Sequence, residues 1–203
     1  ANSHFVASRI KKYYHRDSRV IFPPVDARKF RPINSKGQYF LVVSRIEPYK
    51  KVDLVIEVFN KLKLPLKIVG GGTRFEEYRQ KVSDNSMRQT ELVGRISDEK
   101  LVKYYQNAIA VVFPQEEDAG IVPLEAMACG RPVIAYGRGG ALESIVNGKT
   151  GILFTKQTVK DLFQAVKRFQ KVKFDVKVIR RQAEKFDKDL FKKKVLEYII
   201  DKL

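Results

Sequence analysis

Apolar runs of strand length alternate with longer amphipathic stretches from Tyr39 onward. This alternation is typical of βαβ units, in which strands pair in parallel and helices cover the sheet. The short runs begin at Tyr39, Leu66, Glu91, Ala110, Pro132 and Gly151. The stretches between them predict helices over residues 52–63, 74–83, 97–107, 121–129 and 141–147. The pattern therefore predicts an α/β fold with a Rossmann-like, doubly wound parallel sheet of about six strands.

Several predicted helix ends carry residues that cap helices. Ser97 followed by Asp98 and Glu99 is typical of an N-cap with acidic residues in the first turn. Gly130 and Gly148 suit left-handed C-caps, because glycine adopts positive φ at little cost.

The two ends of the chain lie outside the alternating pattern. Residues 158–203 predict two or three extra carboxy-terminal helices without a further strand. Residues 1–38 contain the basic stretch ASRIKKYY, which predicts a short helix, and the run VIFPPVD, which predicts a strand entering a proline-stiffened linker. We therefore divide the chain into the end of a neighbouring domain with its linker, residues 1–38, and a Rossmann-like domain, residues 39–203. Because the sequence starts at Ala1, we expect an excerpt of a longer protein.

Length and composition indicate one well-packed domain in a reducing compartment. A chain of 203 residues that is 44% apolar can bury a sizeable core. Cys129 is the single cysteine, so an intramolecular disulfide is excluded and the cytoplasm is the expected location. No apolar run approaches the roughly 20 residues that span a bilayer, and the amino terminus shows no basic region followed by an apolar stretch, so we expect a chain that is neither inserted nor exported.

The net charge indicates an anionic partner. Lys and Arg number 40 against 23 Asp and Glu, which gives +17. Nucleic acid, lipid headgroups and a phosphorylated substrate all fit such a charge. Much of the excess lies in the last third of the chain, where solvated helix faces are the favoured explanation.

The predicted topology places two loops beside a ligand. Doubly wound sheets most often have the strand order 3-2-1-4-5-6, with the ligand crevice between strands 1 and 4. The loops SRIEPYKK and PQEEDAG follow those two strands. Both contain many charged residues.

The second loop combines a helix start with two carboxylates. Gly120 is predicted to begin a helix, whose unpaired N–H groups at residues 119–122 suit phosphate. Glu117 precedes this helix, and Glu125 lies roughly 7 to 8 Å along its axis. Carboxylates on both sides of an anion site can accept hydrogen bonds from sugar hydroxyls. A nucleotide sugar has this layout, with ribose and hexose on opposite sides of a diphosphate.

The first loop supplies the matching cations. Arg45 follows strand 1 directly, and Lys50 and Lys51 come a few residues later. A guanidinium and an ammonium group can share a diphosphate and neutralise its charge as it leaves.

These residues resemble a family signature. EDAGIVPLE, from Glu117 to Glu125, is similar to the E-x-F-G-x-x-x-x-E motif of glycosyltransferase family 4. Arg45 and Lys50 correspond to the pair in that family's G-R-L-x-x-x-K-G pattern. The likeness covers about residues 2–154. It implies the carboxy-terminal, donor-binding half of a GT-B fold, with the amino-terminal domain missing.

The resemblance also implies roles for individual residues. Glu125 would bind ribose hydroxyls, Arg45 and Lys50 the diphosphate, and Glu117 the donor sugar. Glu117 is followed by four further implied donor-binding residues, Ala119, Gly120, Ile121 and Val122. The nucleobase would contact the residues that follow strand 3, which are Gly94, Arg95 and Ile96. Gly70, Gly71 and Gly72 can permit close ligand approach or simply turn the chain, and the turn is favoured.

The implied reaction is retaining hexosyl transfer. Front-face attack is the usual proposal for this family, with the leaving phosphate helping to deprotonate the acceptor and Glu117 supporting the sugar. The segment most resembles polysaccharide mannosyltransferases, so GDP-mannose is the first expectation, although Ala119 replaces the usual Phe and Ser44 and Lys51 replace glycines. The only small molecule implied is the GDP- or UDP-hexose donor, and the acceptor is a glycan or a lipid-linked glycan. Without its amino-terminal domain the chain is expected to be weak or inactive.

Other functions would account for parts of this sequence. A nucleic-acid-binding domain would explain +17, but the chain lacks an aromatic stacking platform at motif spacing. Another GT-B enzyme, a sugar phosphorylase or an epimerase, is the alternative within enzymes. A glycosidase is disfavoured, because hydrolysis of a neutral glycoside needs no phosphate cradle. Contact with anionic lipid at the inner face of the membrane is compatible with a lipid-linked acceptor.

No metal site is expected. Asp187 and Asp189 form an Asp-x-Asp pair, but it lies beside a terminal helix, far from the crevice loops. His4 and His15 have no carboxylate or cysteine cluster in the sequence around them. Cys129, among small residues at a helix end, is expected in the core.

Overall fold

The computed structural model describes residues 1–83 and 89–202. Their centre is a six-stranded, wholly parallel sheet in the order β3-β2-β1-β4-β5-β6. The predicted fold and strand order are confirmed. The strands are β1 (Tyr39–Val43), β2 (Leu66–Val69), β3 (Thr90–Gly94), β4 (Ala108–Phe113), β5 (Val133–Tyr136) and β6 (Gly151–Phe154).

The helices lie on both faces of this sheet and beyond its last strand. Among the described residues, one helix precedes the sheet, five connect or follow its strands, and three come after β6. They are α1 (His4–Tyr14), α2 (Val52–Leu62), α3 (Phe75–Ser83), α4 (Asp98–Gln106), α5 (Ile121–Ala128), α6 (Ala141–Ser144), α7 (Val159–Phe169), α8 (Val176–Glu184) and α9 (Lys188–Ile200). A short 3₁₀ turn, Pro48–Lys50, lies between β1 and α2.

Two apolar layers form because successive strand residues point to opposite faces. Phe40 and Val42 of β1 face one layer, which also contains Phe59 of α2. Tyr39 and Leu41 face the other layer, together with residues of α5 and α8. Full burial of such side chains contributes about 1.5 to 3 kcal/mol each before entropic costs. The two layers hold the carboxyl ends of β1 and β4 side by side.

The strand predicted within residues 20–26 is not formed. Val25 makes a single parallel bridge to Asp187 instead. Pro23 and Pro24 precede it, and proline has no N–H to donate to a ladder, so pairing cannot extend along the run. Val25 and Phe30 are nevertheless buried in one of the apolar layers.

Of the two glycines predicted to cap helices, Gly130 lies at the end of a helix and Gly148 does not. Gly130 follows α5 with φ of 71°, and its N–H donates to the Met127 carbonyl. α6 ends at Ser144, before the predicted end at residue 147, so Gly148 does not cap it. Gly148, with φ of 78°, lies in a turn that leads into β6, and its N–H donates to the Gly151 carbonyl.

α1 is held against the sheet domain by Glu143 of α6. The Glu143 carboxylate accepts hydrogen bonds of 2.9 Å from the backbone N–H groups of His4 and Phe5. These N–H groups belong to the first turn of α1 and have no partner within the helix. Within the described ranges, no helix is both long enough and apolar enough to cross a bilayer.

Candidate functional site

The loops after β1 and β4 enclose a cavity of about 390 Å³, called here the central cavity. Its walls come from the end of β1, the following 3₁₀ turn, the loop after β4 and the first turn of α5. Asn2 and Pro23 of the entry segment also contact it. The predicted residues that line it are Arg45, Lys50, Glu117, Ala119, Gly120, Ile121 and Val122. The structure therefore brings together the two loops that were predicted to meet.

Lys50 forms an ion pair with Glu117 inside this cavity. The Lys50 ammonium donates to Oε1 of Glu117, and Lys50 is 8% exposed. The ammonium also lies 4.7 Å from the centre of the Tyr49 ring. A desolvated cation is thereby held at the carboxyl ends of the strands, where it can interact strongly with an anion that enters the cavity.

Arg45 is exposed and lies beside this pair. Its Nη2 donates to the Tyr49 hydroxyl at 2.7 Å. Tyr49 thus contacts both Arg45 and Lys50.

The start of α5 offers free backbone donors. Gly120 is the N-cap residue, with φ of 77°, and no side chain caps this helix end. The first N–H groups of a helix have no partner within it and carry partial positive charge, so the site suits a phosphate group.

Two glycines hold the loop after β4 in place. The N–H of Gly140 donates to the Glu117 carbonyl at 2.9 Å. A Cβ atom added at Gly140 would lie 2.3 Å from the Ala119 carbonyl oxygen, and one at Gly139 would lie 2.2 Å from the Glu117 carbonyl oxygen. Only glycine permits this close contact.

A second cavity of about 480 Å³, the glycine-side cavity, adjoins the central one. The two share Val43, Ser44, Arg45 and Val122. The rest of the glycine-side cavity is formed by the loops after β2 and β3 and by α4, through Val69, Gly70, Gly71, Arg95, Ile96 and Leu101. Of the residues predicted for a nucleobase, Arg95 and Ile96 therefore line a cavity that adjoins the central one, whereas Gly94 does not line it.

The glycines after β2 permit close packing of backbone on backbone. A Cβ atom at Gly70, whose φ is 134°, would lie 1.9 Å from the Ser44 carbonyl oxygen. One at Gly72 would lie 2.5 Å from the Ile46 carbonyl oxygen. Gly94 has φ of 79°, and its carbonyl accepts from the Gly70 N–H at 2.9 Å.

Glu125 lies one turn into α5 and contacts Tyr105 of α4. The Tyr105 hydroxyl donates to Oε2 of Glu125 at 2.6 Å. Burial raises the pKa of Glu125 above its ordinary 4.5, and the hydrogen bond from Tyr105 opposes the rise. Burial, with the charge of Glu125, raises the pKa of Tyr105 well above 10, so this hydroxyl stays a donor.

We expect a Glu125→Gln variant to be more stable than the wild type at neutral pH. A carboxyl whose pKa is raised by folding stabilises the fold below its unfolded pKa, near 4.5, and loses this contribution as pH rises through the folded pKa. The amide oxygen of glutamine can still accept from Tyr105. Thermal unfolding should give similar melting temperatures at pH 4 and a higher one for the variant at pH 8. A lower melting temperature for the variant at pH 8 would contradict this account.

Gln115 is a residue of the central cavity that the sequence motifs do not indicate. It lies in PQEEDAG, two residues after β4, and lines the central cavity. It is 2% exposed, and its Oε1 has no hydrogen-bond partner in the described structure. A buried polar atom without a partner is costly, so Gln115 is suited to contact a bound ligand. Its position directly after β4, in a loop predicted to lie beside the ligand, was the sequence feature that could have indicated this contact.

The residues considered for a metal have structural contacts. Asp187 caps α9 by accepting from the Asp189 N–H, and Asp189 pairs with Arg28 at 2.7 Å. His4 Nδ1 lies 2.8 Å from Glu143 Oε2. Among residues 1–83 and 89–202, no group of three or more His, Cys, Asp or Glu could hold a metal ion. Cys129 is buried in the core.

Residues 26–186 match the family described as glycosyl transferases group 1. The chain belongs to this family. The match spans both loops of the central cavity, from β1 to the end of α8.

Two relatives of the group 1 family show the extent of the similarity. The alpha-1,3/1,6-mannosyltransferase ALG2 of Mus musculus is 28% identical over an alignment of 237 residues, covering 98% of this chain and 57% of the relative. The GDP-mannose-dependent alpha-(1-6)-phosphatidylinositol monomannoside mannosyltransferase of Mycolicibacterium smegmatis is 34% identical over 167 residues, covering 74% of this chain and 44% of the relative. The chain thus spans about half the length of these relatives.

The same fold is present in a solved structure. Anabaena HepE in complex with UDP matches with a TM-score of 0.86 and 19% identity, covering 99% of this chain and 63% of that one. This match shows a shared GT-B architecture.

Proposed function

We propose that this chain forms the nucleotide-sugar-binding half of a retaining glycosyltransferase. The observation that carries the proposal is the convergence, in one cavity, of the Lys50 ammonium, the Arg45 guanidinium and the uncapped start of α5. These groups come from two loops on neighbouring strands. Together they suit a diphosphate better than any neutral ligand.

The central and glycine-side cavities adjoin each other, as the diphosphate and the nucleoside do in a nucleotide sugar. The diphosphate lies in the central cavity against Arg45, Lys50 and α5. The nucleobase lies in the glycine-side cavity near Arg95 and Ile96. Glu125, which lines neither cavity, is assigned to the ribose, and Glu117 accepts hydroxyl groups of the transferred sugar.

The chemistry of the central cavity fits departure of a diphosphate. As the bond between the anomeric carbon and the phosphate oxygen breaks, negative charge grows on the leaving group. Lys50 and Arg45 are placed to stabilise that charge, which is the main contribution expected of preorganised cations. Glu117, already paired with Lys50, supports the sugar and does not attack it. A covalent glycosyl adduct trapped on Glu117 would contradict this role.

We further propose GDP-mannose as the donor and a glycan or lipid-linked glycan as the acceptor. The names of two relatives, a GDP-mannose-dependent mannosyltransferase and an alpha-1,3/1,6-mannosyltransferase, support mannose. HepE was crystallised with UDP, which supports a nucleotide donor in general. UDP-hexoses are the competing donors.

Calorimetric titration tests this proposal. GDP, UDP, ADP and their hexose conjugates are compared on the same chain, with GMP as the matched control. Because Arg45, Lys50 and α5 are assigned to the diphosphate, we expect GDP to bind at least about tenfold more tightly than GMP. GDP-mannose is expected to be the tightest of the sugars. Failure of every nucleoside diphosphate to bind overturns the proposed function.

A further inference from the structure

Glu143 of α6 is a largely buried carboxylate that the proposed donor site does not use. It accepts hydrogen bonds of 2.9 Å from the backbone N–H groups of His4 and Phe5, and its Oε2 lies 2.8 Å from Nδ1 of His4. The side chain is only 16% exposed. Hydrogen bonds to an ionised acceptor are roughly twice as strong as neutral ones. Glu143 therefore ties the start of α1 firmly to α6.

The start of α1 forms part of the wall of the central cavity. Asn2 lines that cavity. The next residue, Ser3, is fully buried and caps α1 by accepting from the Val6 N–H at 3.0 Å. The two N–H groups that Glu143 holds follow directly after Ser3 in the chain. The place of Asn2 in the cavity wall therefore depends on Glu143.

The beginning of α6 holds a second part of the same wall. α6 starts after Gly140, whose N–H donates to the Glu117 carbonyl at 2.9 Å. Gly140 precedes Glu143 by less than one helical turn. Its backbone also packs so closely against Ala119 that a Cβ atom would not fit. A shift of α6 would therefore displace the loop after β4, which carries Glu117.

The loop after β4 also contacts α1 directly, which closes a ring of contacts. Arg9 of α1 pairs with Asp118 at 2.9 Å, although both side chains are 53% exposed and such a pair contributes little by itself. Where Ser3, Gly140 and Glu143 meet, the remaining cavity has a volume of only about 10 Å³. This is close to the smallest space that holds one water. Closely packed segments of this kind transmit a displacement to one another.

We infer that Glu143 is a positioning residue for the transferred sugar. Glu143 lines neither the central nor the glycine-side cavity, so it acts through Gly140 on Glu117 and through the start of α1 on Asn2. This role rests on the proposed function, in which Glu117 accepts hydroxyl groups of that sugar. The diphosphate is assigned mainly to the loop after β1 and the start of α5. Loss of the Glu143 carboxylate therefore weakens sugar binding more than diphosphate binding.

Calorimetric titration of a Glu143→Ala variant tests this role. GDP-mannose and GDP form one pair of ligands, and UDP-glucose and UDP form a second. In the pair that the wild type binds more tightly, the affinity of the nucleotide sugar relative to its nucleoside diphosphate should fall about tenfold, the scale of one lost hydrogen bond to a charged group. The nucleoside diphosphate itself should bind nearly as it does to the wild type. Glu143→Gln keeps the shape and one acceptor oxygen, so it should restore part of the difference.

Asp175→Ala is the matched control. Asp175 also holds a helix start, by accepting from the N–H groups of Lys177 and Val178, but it lines neither donor cavity. This variant should lower the melting temperature and leave the affinity ratio unchanged. An unchanged ratio in the folded Glu143 variants, or an equal change in the Asp175 variant, overturns the positioning role while binding of GDP or UDP upholds the donor site. If no nucleoside diphosphate binds the wild type, the proposed function fails and the positioning role fails with it.

Discussion

A Lys50→Met variant of the full-length protein is expected to lose about 10²- to 10³-fold in kcat for sugar transfer, the size of effect seen when one preorganised electrostatic group is removed. Methionine keeps the length and apolar stem of lysine but removes the ammonium group. The desolvated cation that faces Glu117 would then be absent as charge grows on the leaving diphosphate. Steady-state kinetics with the nucleotide sugar measure kcat and KM separately. A loss confined to KM would mean that Lys50 binds the ground state and the transition state equally, without favouring the transition state.

Two controls sharpen this experiment. Lys51→Met removes the neighbouring cation, which does not line the central cavity, and should change kcat little. Lys50→Arg keeps the charge but places a larger group in a buried position, so it should restore part of the activity. Equal losses for Lys50→Met and Lys51→Met would contradict the assigned role of Lys50.

Much of the fold could be predicted because five of its six strands, all except β3, are mostly buried on both faces. Such strands appear in the sequence as continuous apolar runs, and the predicted starts of β1, β2 and β6 at Tyr39, Leu66 and Gly151 agree with the structure. The helix bounds agree within a few residues, and Ser97 occupies the predicted N-cap position of α4, although its side chain makes no capping hydrogen bond. Strand order followed from the preference of doubly wound sheets.

The entry segment was harder to predict because its structure depends on distant residues. Val25 is extended and buried, yet its bridge partner is Asp187, in the loop before α9. Local composition identified the extended backbone but could not show which distant residue Val25 would pair with.

At the candidate site too, the topology could be predicted from the sequence, whereas the side-chain contacts could not. Topology predicted that the loops after β1 and β4 would meet, and both line one cavity. The pairing of Lys50 with Glu117, 67 positions apart, depends on side-chain packing that no local pattern encodes. The contact of Tyr105 with Glu125 and the burial of Gln115 are likewise products of tertiary packing.

The second large effect is expected at Gly140, one of the two glycines after β5 that hold the loop after β4 in place. Gly140 has helical backbone angles, with φ of −63° and ψ of −18°, so alanine is compatible with its backbone. Steric contact is the difficulty, because a Cβ atom would lie 2.3 to 2.6 Å from backbone atoms of Ala119. Neither backbone segment can yield without moving the loop that carries Glu117.

Gly140→Ala is therefore expected to lower the melting temperature by about 4 to 10 °C, as overpacking does in a domain of this size. Because the added methyl group displaces the loop, kcat/KM for sugar transfer should also fall about 100-fold. Gly148→Ala is the control: its φ of 78° strains an alanine, but nothing lies within 4 Å of the added Cβ atom. It should lose stability and keep its activity, since no atom of the loop after β4 moves. If both variants lose activity in proportion to stability, the glycine contact has no specific part in holding Glu117.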